Sequence, residues 1–230
     1  MQSKLKARGI FMMVTFFIVL AVIFTPVFPG KNGKVNGLDY ADNLFNMVSK
    51  GSSNFIAKEI KGTDKLAGTM MDIKIKLADE KVVPGIVKVF EVSGAQVAAQ
   101  GAEVSIKGDV GQIMKSCLSD ADLMFKNDGK PIADKYGLSE QEVLFSWWTA
   151  FDRIAKDYTK AEKYKEAKPF ASAQKKALEP AYNYYGIDSL NWKDSIGMVL
   201  AAICFYVIYT LWYGFGLMYL FEGLGLKIGH

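Results

Sequence analysis

The chain is predicted to be a mainly α membrane protein. A transmembrane helix at each end flanks a helical extracytoplasmic domain with one small β-hairpin. Three observations predict this. The two longest uncharged apolar runs lie at opposite ends of the 230 residues. The stretch between them is polar and nearly neutral, and its apolar residues recur mostly at helical spacing.

The first run, Ile10–Phe28, is 19 residues long and is broken in character only by Thr15, Thr25 and Pro26. As a helix it reaches ~28 Å, enough for a hydrocarbon core of about 30 Å. Lys4, Lys6 and Arg8 precede it, as in a secretory signal peptide. No small-x-small cleavage pattern follows, and the run closes on Pro26 and Pro29, so an uncleaved signal anchor is expected.

The second run, Ile196–Phe221, is 26 uncharged residues between Asp194 and Glu222. Aromatic residues crowd its second half. An interfacial belt accounts for Tyr219 and Phe221. Tyr206, Tyr209 and Tyr213 stand at i, i+3, i+7 and share a face with Gly216. Hydroxyls in hydrocarbon need partners and small residues admit a second helix, so this face is expected to pack on the first helix or on another protein. Neither run carries Asp, Glu, Lys or Arg, which argues against a proton or ion path built by this chain alone.

The expected division is a cytoplasmic basic start (1–9), a first span (10–28), an extracytoplasmic domain (30–194), a second span (196–221) and a short cytoplasmic tail (222–230). The basic start favours an inside N-terminus. Lys31, Lys34, Lys176 and Lys193 offset that bias, but long domains translocate largely regardless of charge. In a bacterium the chain would sit in the inner membrane with its middle in the periplasm.

Composition narrows the chemistry. Of 28 Lys and Arg residues all but Lys4, Lys6, Arg8 and Lys227 lie between Lys31 and Asp194, and of 24 Asp and Glu residues all but Glu222. The middle is therefore within one charge of neutral and lacks the basic footprint of nucleic-acid binding. Cys117 and Cys204 form no C-x-x-C, and the single histidine is His230, which removes the commonest catalytic base and metal ligand from the middle domain. No G-x-G-x-x-G or Walker pattern occurs, and neither Ser49 nor Ser116 opens a Ser-x-x-Lys. No cofactor, metal or catalytic cluster is expected.

Along the middle, Leu38, Ala41, Leu44, Phe45, Val48, Phe55, Ile56 and Ile60 mark a first helix, interrupted near Gly51. Thr63–Asp64 opens an expected second helix with Leu66, Met70, Ile73 and Leu77 on one stripe. Pro84 stands at the start of a third segment, Val82–Phe90. Gln96–Lys107 alternates, with Val97, Ala99, Val104 and Ile106 on one face and Gly101 between, and reads as a hairpin. Asp109 then caps a helix over Val110–Phe125, and Asn127-Asp128-Gly129 turns the chain. Ser139 and Glu142 form a capping box for a helix that directs Val143, Leu144, Trp147, Phe151, Ile154 and Tyr158 to the core. A last helix is expected over about 161–185, kinked near Pro169 and Pro180.

The candidate ligand or interface residues are Trp147, Trp148 and Tyr184. Adjacent helical residues point about 100° apart, so one tryptophan is expected in the core while the other covers an edge, lines a pocket or meets a partner. Packing accounts for most tryptophans, although the residue is also enriched at binding hot spots. Tyr182-Asn183-Tyr184-Tyr185 could be a ligand wall, but a membrane-interface collar is the plainer reading. Asp120, Asp122, Asp128 and Asp134 read as a solvated acidic face, since their spacing is not that of a calcium loop. The Gly108–Gly111 turn offers only the anion affinity of any helix start. Taken together, these features point to a non-catalytic accessory or scaffolding subunit of a membrane complex, its partners being lipid and other membrane subunits. The alternative is an extracytoplasmic small-molecule-binding or sensory module that signals through a partner.

Overall fold

Pro26 decides where the first helix stops. The computed structural model describes residues 2–226; Met1 and 227–230, with His230 and the end of the expected tail, lie outside the described residues. Helix α1 covers Gln2–Phe24. Proline lacks an N–H and disfavours helical backbone before it, so Val27 and Phe28 leave the helix and the apolar helix starts and ends earlier than the expected 10–28. Phe28–Gly30 (β1) pairs antiparallel with Gly33–Val35 (β2), Phe28 opposite Val35. Helix α2, Gly37–Ser52, runs through Gly51 without a break. Its start is fixed by Asn36, whose side chain accepts from the Asp39 N–H at 2.8 Å.

Two units divide the chain, one drawn from both ends, up to Ser49 and from Ser189 onward, the other spanning Lys50–Asp188. The latter opens with α3, Ile56–Gly62. The helix expected after Thr63–Asp64 does not form. Thr63–Leu66 is a single 3₁₀ turn, Gly68 takes φ +78°, and Met70–Lys76 is strand β3. Its side chains alternate, Met71, Ile73 and Ile75 inward, Asp72, Lys74 and Lys76 outward. That two-residue period decides over the helical stripe because a sheet edge is waiting for it.

Val83–Val92 is α4, with Pro84 in its first turn. Gln96–Gln100 (β4) and Glu103–Asp109 (β5) make the expected hairpin. β3 joins its other edge, giving the order β3-β5-β4 with Ile73 opposite Ile106. The expected single hairpin is therefore corrected to two small sheets, one of two strands and one of three.

Asp109 caps α5, Val110–Phe125, through the Gln112 N–H at 2.9 Å. It also accepts from the Gly68 N–H at 2.6 Å, which ties the cap to the turn before β3. Then come α6 (Lys130–Tyr136), α7 (Glu140–Lys160, with the Ser139/Glu142 capping box formed) and α8 (Tyr164–Ala173). A π turn, Gln174–Leu178, leads into α9, Glu179–Asn183. Pro180 explains that turn: its ring would meet the carbonyl four residues back and its nitrogen donates nothing, so the ladder widens just ahead of it.

Ile75, Val104 and Ile106 from the sheet face Phe90, Ile113, Met114, Trp147, Phe151 and Phe170 from the helices, all buried. Phe90, Trp147, Phe151 and Phe170 form a chain of edge-to-face rings with centroids 5.0, 5.6 and 5.1 Å apart, the geometry their quadrupoles favour.

Helix α10, Trp192–Gly223, closes the terminal unit. It lies along α1 through a seam of small residues. Gly9 sits on the Leu220 backbone, Gly216 on Met12 and Met13, and Gly223 on the Lys6 backbone. Phe16 stacks on Tyr209 with centroids 4.3 Å apart, and the Tyr209 hydroxyl donates to the Phe16 carbonyl at 3.3 Å. Arg8 lies over the Tyr219 ring at 4.6 Å. Both helices are long and apolar enough to cross a membrane.

Candidate binding cavity

Asp120 is buried, at 1% exposure, and is not part of a solvated acidic face. The reason is local. α5 turns it inward beside Cys117 and Ala121, and α6 and α7 bring donors to meet it. Tyr136 Oη donates to Oδ2 at 2.5 Å, Trp147 Nε1 to the same oxygen at 3.0 Å, and Lys135 Nζ to Oδ1 at 3.0 Å. Asp122, two residues on, does face outward and pairs with Lys126. Helix α6 had no place in the sequence reading, yet Pro131 in its first turn and Gly137 at its left-handed C-cap bracket it, a signal available from sequence.

Burial pushes the Cys117 thiol well above its ordinary value, with Asp120 adding to the rise. Burial and then Asp120 raise the Tyr136 phenol likewise. Both groups are held neutral in the fold and ionise more readily unfolded, from ordinary values of 9.0 and 10.0. Their contribution to stability is full below pH 9 and is lost as pH rises through these values. The urea midpoint is expected to fall between pH 8 and pH 10.5, and to fall less in Cys117→Ala. An unchanged midpoint would contradict the burial of these groups.

Lys50 is a second buried polar centre, at 1% exposure. Its ammonium donates to Asn127 Oδ1 at 2.8 Å and to the carbonyls of Tyr184 and Ile187 at 3.0 and 2.7 Å. Asn127, at φ +63°, also accepts from the Gly186 N–H at 2.8 Å. The segment following α9 is thus fastened to the 127 turn. Lys50→Met is expected to cost about 2–3 kcal/mol, because three part-buried acceptors lose a charged donor together; urea unfolding measures it.

The two tryptophans separate as their spacing requires. Trp147 is core and serves Asp120. Trp148 stands half-buried at the edge and donates from Nε1 to Glu179 Oε1 at 3.1 Å. Beside it lies a half-open cavity of about 310 Å³ lined by Leu144, Phe145, Trp148, Leu178, Glu179, Tyr182 and Asn183. The π turn shapes it, because its extra width sets Leu178, Glu179 and Tyr182 against α7. Phe145 and Trp148 lie nearly parallel, at 13° with centroids 6.5 Å apart. Phe145 and Tyr182 are 46% and 43% exposed, so two of the lining aromatic rings are open to solvent. Tyr184 is not in its lining; Tyr182 occupies the place expected for it.

A second groove, about 260 Å³, lies between α3 and α8, with Lys65, Lys165 and Lys168 along its lining. Its one carboxylate, Glu59, is occupied. Ser172 Oγ donates to it at 2.8 Å and Lys176 Nζ at 3.2 Å. Ser172 and Lys175 have Ser-x-x-Lys spacing, but the serine proton points to Glu59 and not to a lysine base.

Of the aromatic face on α10, Tyr209 and Tyr213 pack on Phe16 and Gly216 on Met12 and Met13. Tyr206 remains 69% exposed. Among the described residues no group of three His, Cys, Asp or Glu side chains stands close enough to hold a metal ion. No family model, curated protein or solved structure matches the chain.

Proposed function

We propose that this chain is a membrane-anchored, non-catalytic binding module. Its two terminal helices span the bilayer, and the Lys50–Asp188 unit takes a small molecule into the Trp148 cavity and passes that state to a partner. The cavity carries the reading. It is concave and mostly apolar, with a half-buried carboxylate held by the Trp148 indole N–H on its wall, the usual anatomy of a small-molecule site. Anchoring is supported by the outer faces of α1 and α10, where Phe11, Phe17, Ile18, Leu200, Ile208 and Leu211 are exposed. In water that surface would be an unusually large apolar patch, whereas lipid covers it without cost. With the basic start inside, the binding unit lies outside, which in a bacterium is the periplasmic face of the inner membrane.

A second reading, an accessory subunit, rests on Tyr206. Its phenol hydroxyl stands exposed on a face where hydrocarbon offers no partner, and a neighbouring subunit's helix would supply one. A thermal-shift panel on the full chain in maltoside micelles separates the two. A compound that stabilises the parent protein and not Trp148→Leu supports the binding module. A panel with no such compound, alongside complex disruption by Tyr206→Leu, supports the subunit.

A further inference from the structure

We infer that the Trp148 cavity is a site for an alkylated ammonium group, carried by a small free cation or a lipid headgroup; this rests on the cavity being a ligand site. The first ground is charge. Glu179 is half-buried, and among the described residues no Lys or Arg forms an ion pair with it. Four other shielded carboxylates in the same unit are answered by a cation, Asp120 by Lys135, Glu59 by Lys176, Asp152 by Lys156 and Asp157 by Arg153. Asp109, with no such cation among the described residues, is answered by the Gly68 and Gln112 N–H groups. Among the described residues Glu179 receives only the neutral Trp148 indole N–H. That bond fixes the carboxylate beside the ring and leaves its negative charge uncompensated at the cavity wall.

The second ground is the wall itself. Phe145, Trp148 and Tyr182 line it, and aromatic rings attract cations through the negative quadrupole of their faces, tryptophan most strongly. Among the described residues no basic side chain lines the cavity to compete. The third ground selects the kind of cation. Leu144 and Leu178 complete an apolar lining with few acceptors. A primary ammonium carries three donors and would exchange water hydrogen bonds for few partners, Glu179 and Asn183 among the lining residues. An alkylated ammonium has few or none to lose, and its methyl groups gain from the apolar contact. The volume, about 310 Å³, is at the small end of ligand sites and suits a compact head.

The test is calorimetric titration of the full chain in maltoside micelles with tetramethylammonium, choline, dihexanoyl phosphatidylcholine, methylammonium and 3,3-dimethylbutanol, the uncharged analogue of choline. Choline and tetramethylammonium are expected to bind one per chain and more tightly than methylammonium or the alcohol. Glu179→Gln keeps the acceptor for Trp148, so it should fold normally and weaken choline roughly tenfold. Trp148→Leu should abolish binding. If the phosphatidylcholine binds more tightly than choline, the source is a lipid headgroup; if not, it is a free cation. Equal binding of the alcohol, or tighter binding of methylammonium, overturns the ammonium assignment while leaving the cavity a ligand site. Binding of no probe overturns the ammonium assignment, and the thermal-shift panel then decides whether the cavity is a ligand site.

Discussion

Asp120→Ala is expected to destabilise the Lys50–Asp188 unit by about 3–5 kcal/mol, a large share of the 5–15 kcal/mol that holds a typical domain together. Lys135 is partly exposed, at 37%, and can turn its ammonium to water. Tyr136 and Trp147 cannot. Both are buried, and alanine leaves a hydroxyl and an indole N–H without an acceptor in the middle of the core. Asp120→Asn provides the contrast. An amide oxygen in place of Oδ2 still accepts from both rings, and its NH₂ faces only the lysine that can move away. Its cost should be about 1–2 kcal/mol. Urea unfolding followed by near-ultraviolet circular dichroism measures it, the buried Trp147 being one of the chain's 4 tryptophans. A loss under 1 kcal/mol in Asp120→Ala would mean that the node does not hold α5, α6 and α7 together.

Gly9→Leu is expected to force α1 and α10 apart. A β-carbon at Gly9 would lie 2.5 Å from the Leu220 nitrogen and 2.8 Å from its α-carbon. Both are backbone atoms, which move only if the helices separate. Close approach through small residues is what holds such a pair in lipid, so the loss is not confined to one contact. A disulfide reads it. A β-carbon at Gly216 stands 3.4 Å from that of Met12, close to the 3.5–4.5 Å span that cysteines bridge. Met12→Cys/Gly216→Cys, with Cys204→Ser, should therefore oxidise readily, and adding Gly9→Leu should slow it roughly tenfold. Gly214→Leu is the control, because nothing lies within 4 Å of a β-carbon there. Equal rates in Gly9→Leu and the parent would contradict the seam.

Much of the architecture was legible because it rests on local rules. Uncharged length marked the terminal helices, Ser139 with Glu142 and Asp109 marked two helix starts, and alternation marked the Gln96–Lys107 hairpin. Strand β3 was misread for a physical reason. Met70, Ile73 and Leu77 satisfy a helical stripe while Met71, Ile73 and Ile75 satisfy a strand, and only the free edge of β5 decides between them. The Asp120 node was hidden because its donors come from α6 and α7, 15 to 27 residues away in sequence. The separation of Trp147 from Trp148 followed from the helical turn angle alone. The cavity beside Trp148 did not, because it depends on where the π turn ahead of Pro180 sets Glu179 and Tyr182.

The most direct test of the membrane-anchored binding module is native mass spectrometry of the full chain, extracted gently from its own membrane. The account predicts a small-molecule adduct on the parent protein that disappears in Trp148→Leu while the chain stays folded. A bare chain in both samples, or one bound stoichiometrically to other subunits with no small molecule, would contradict it.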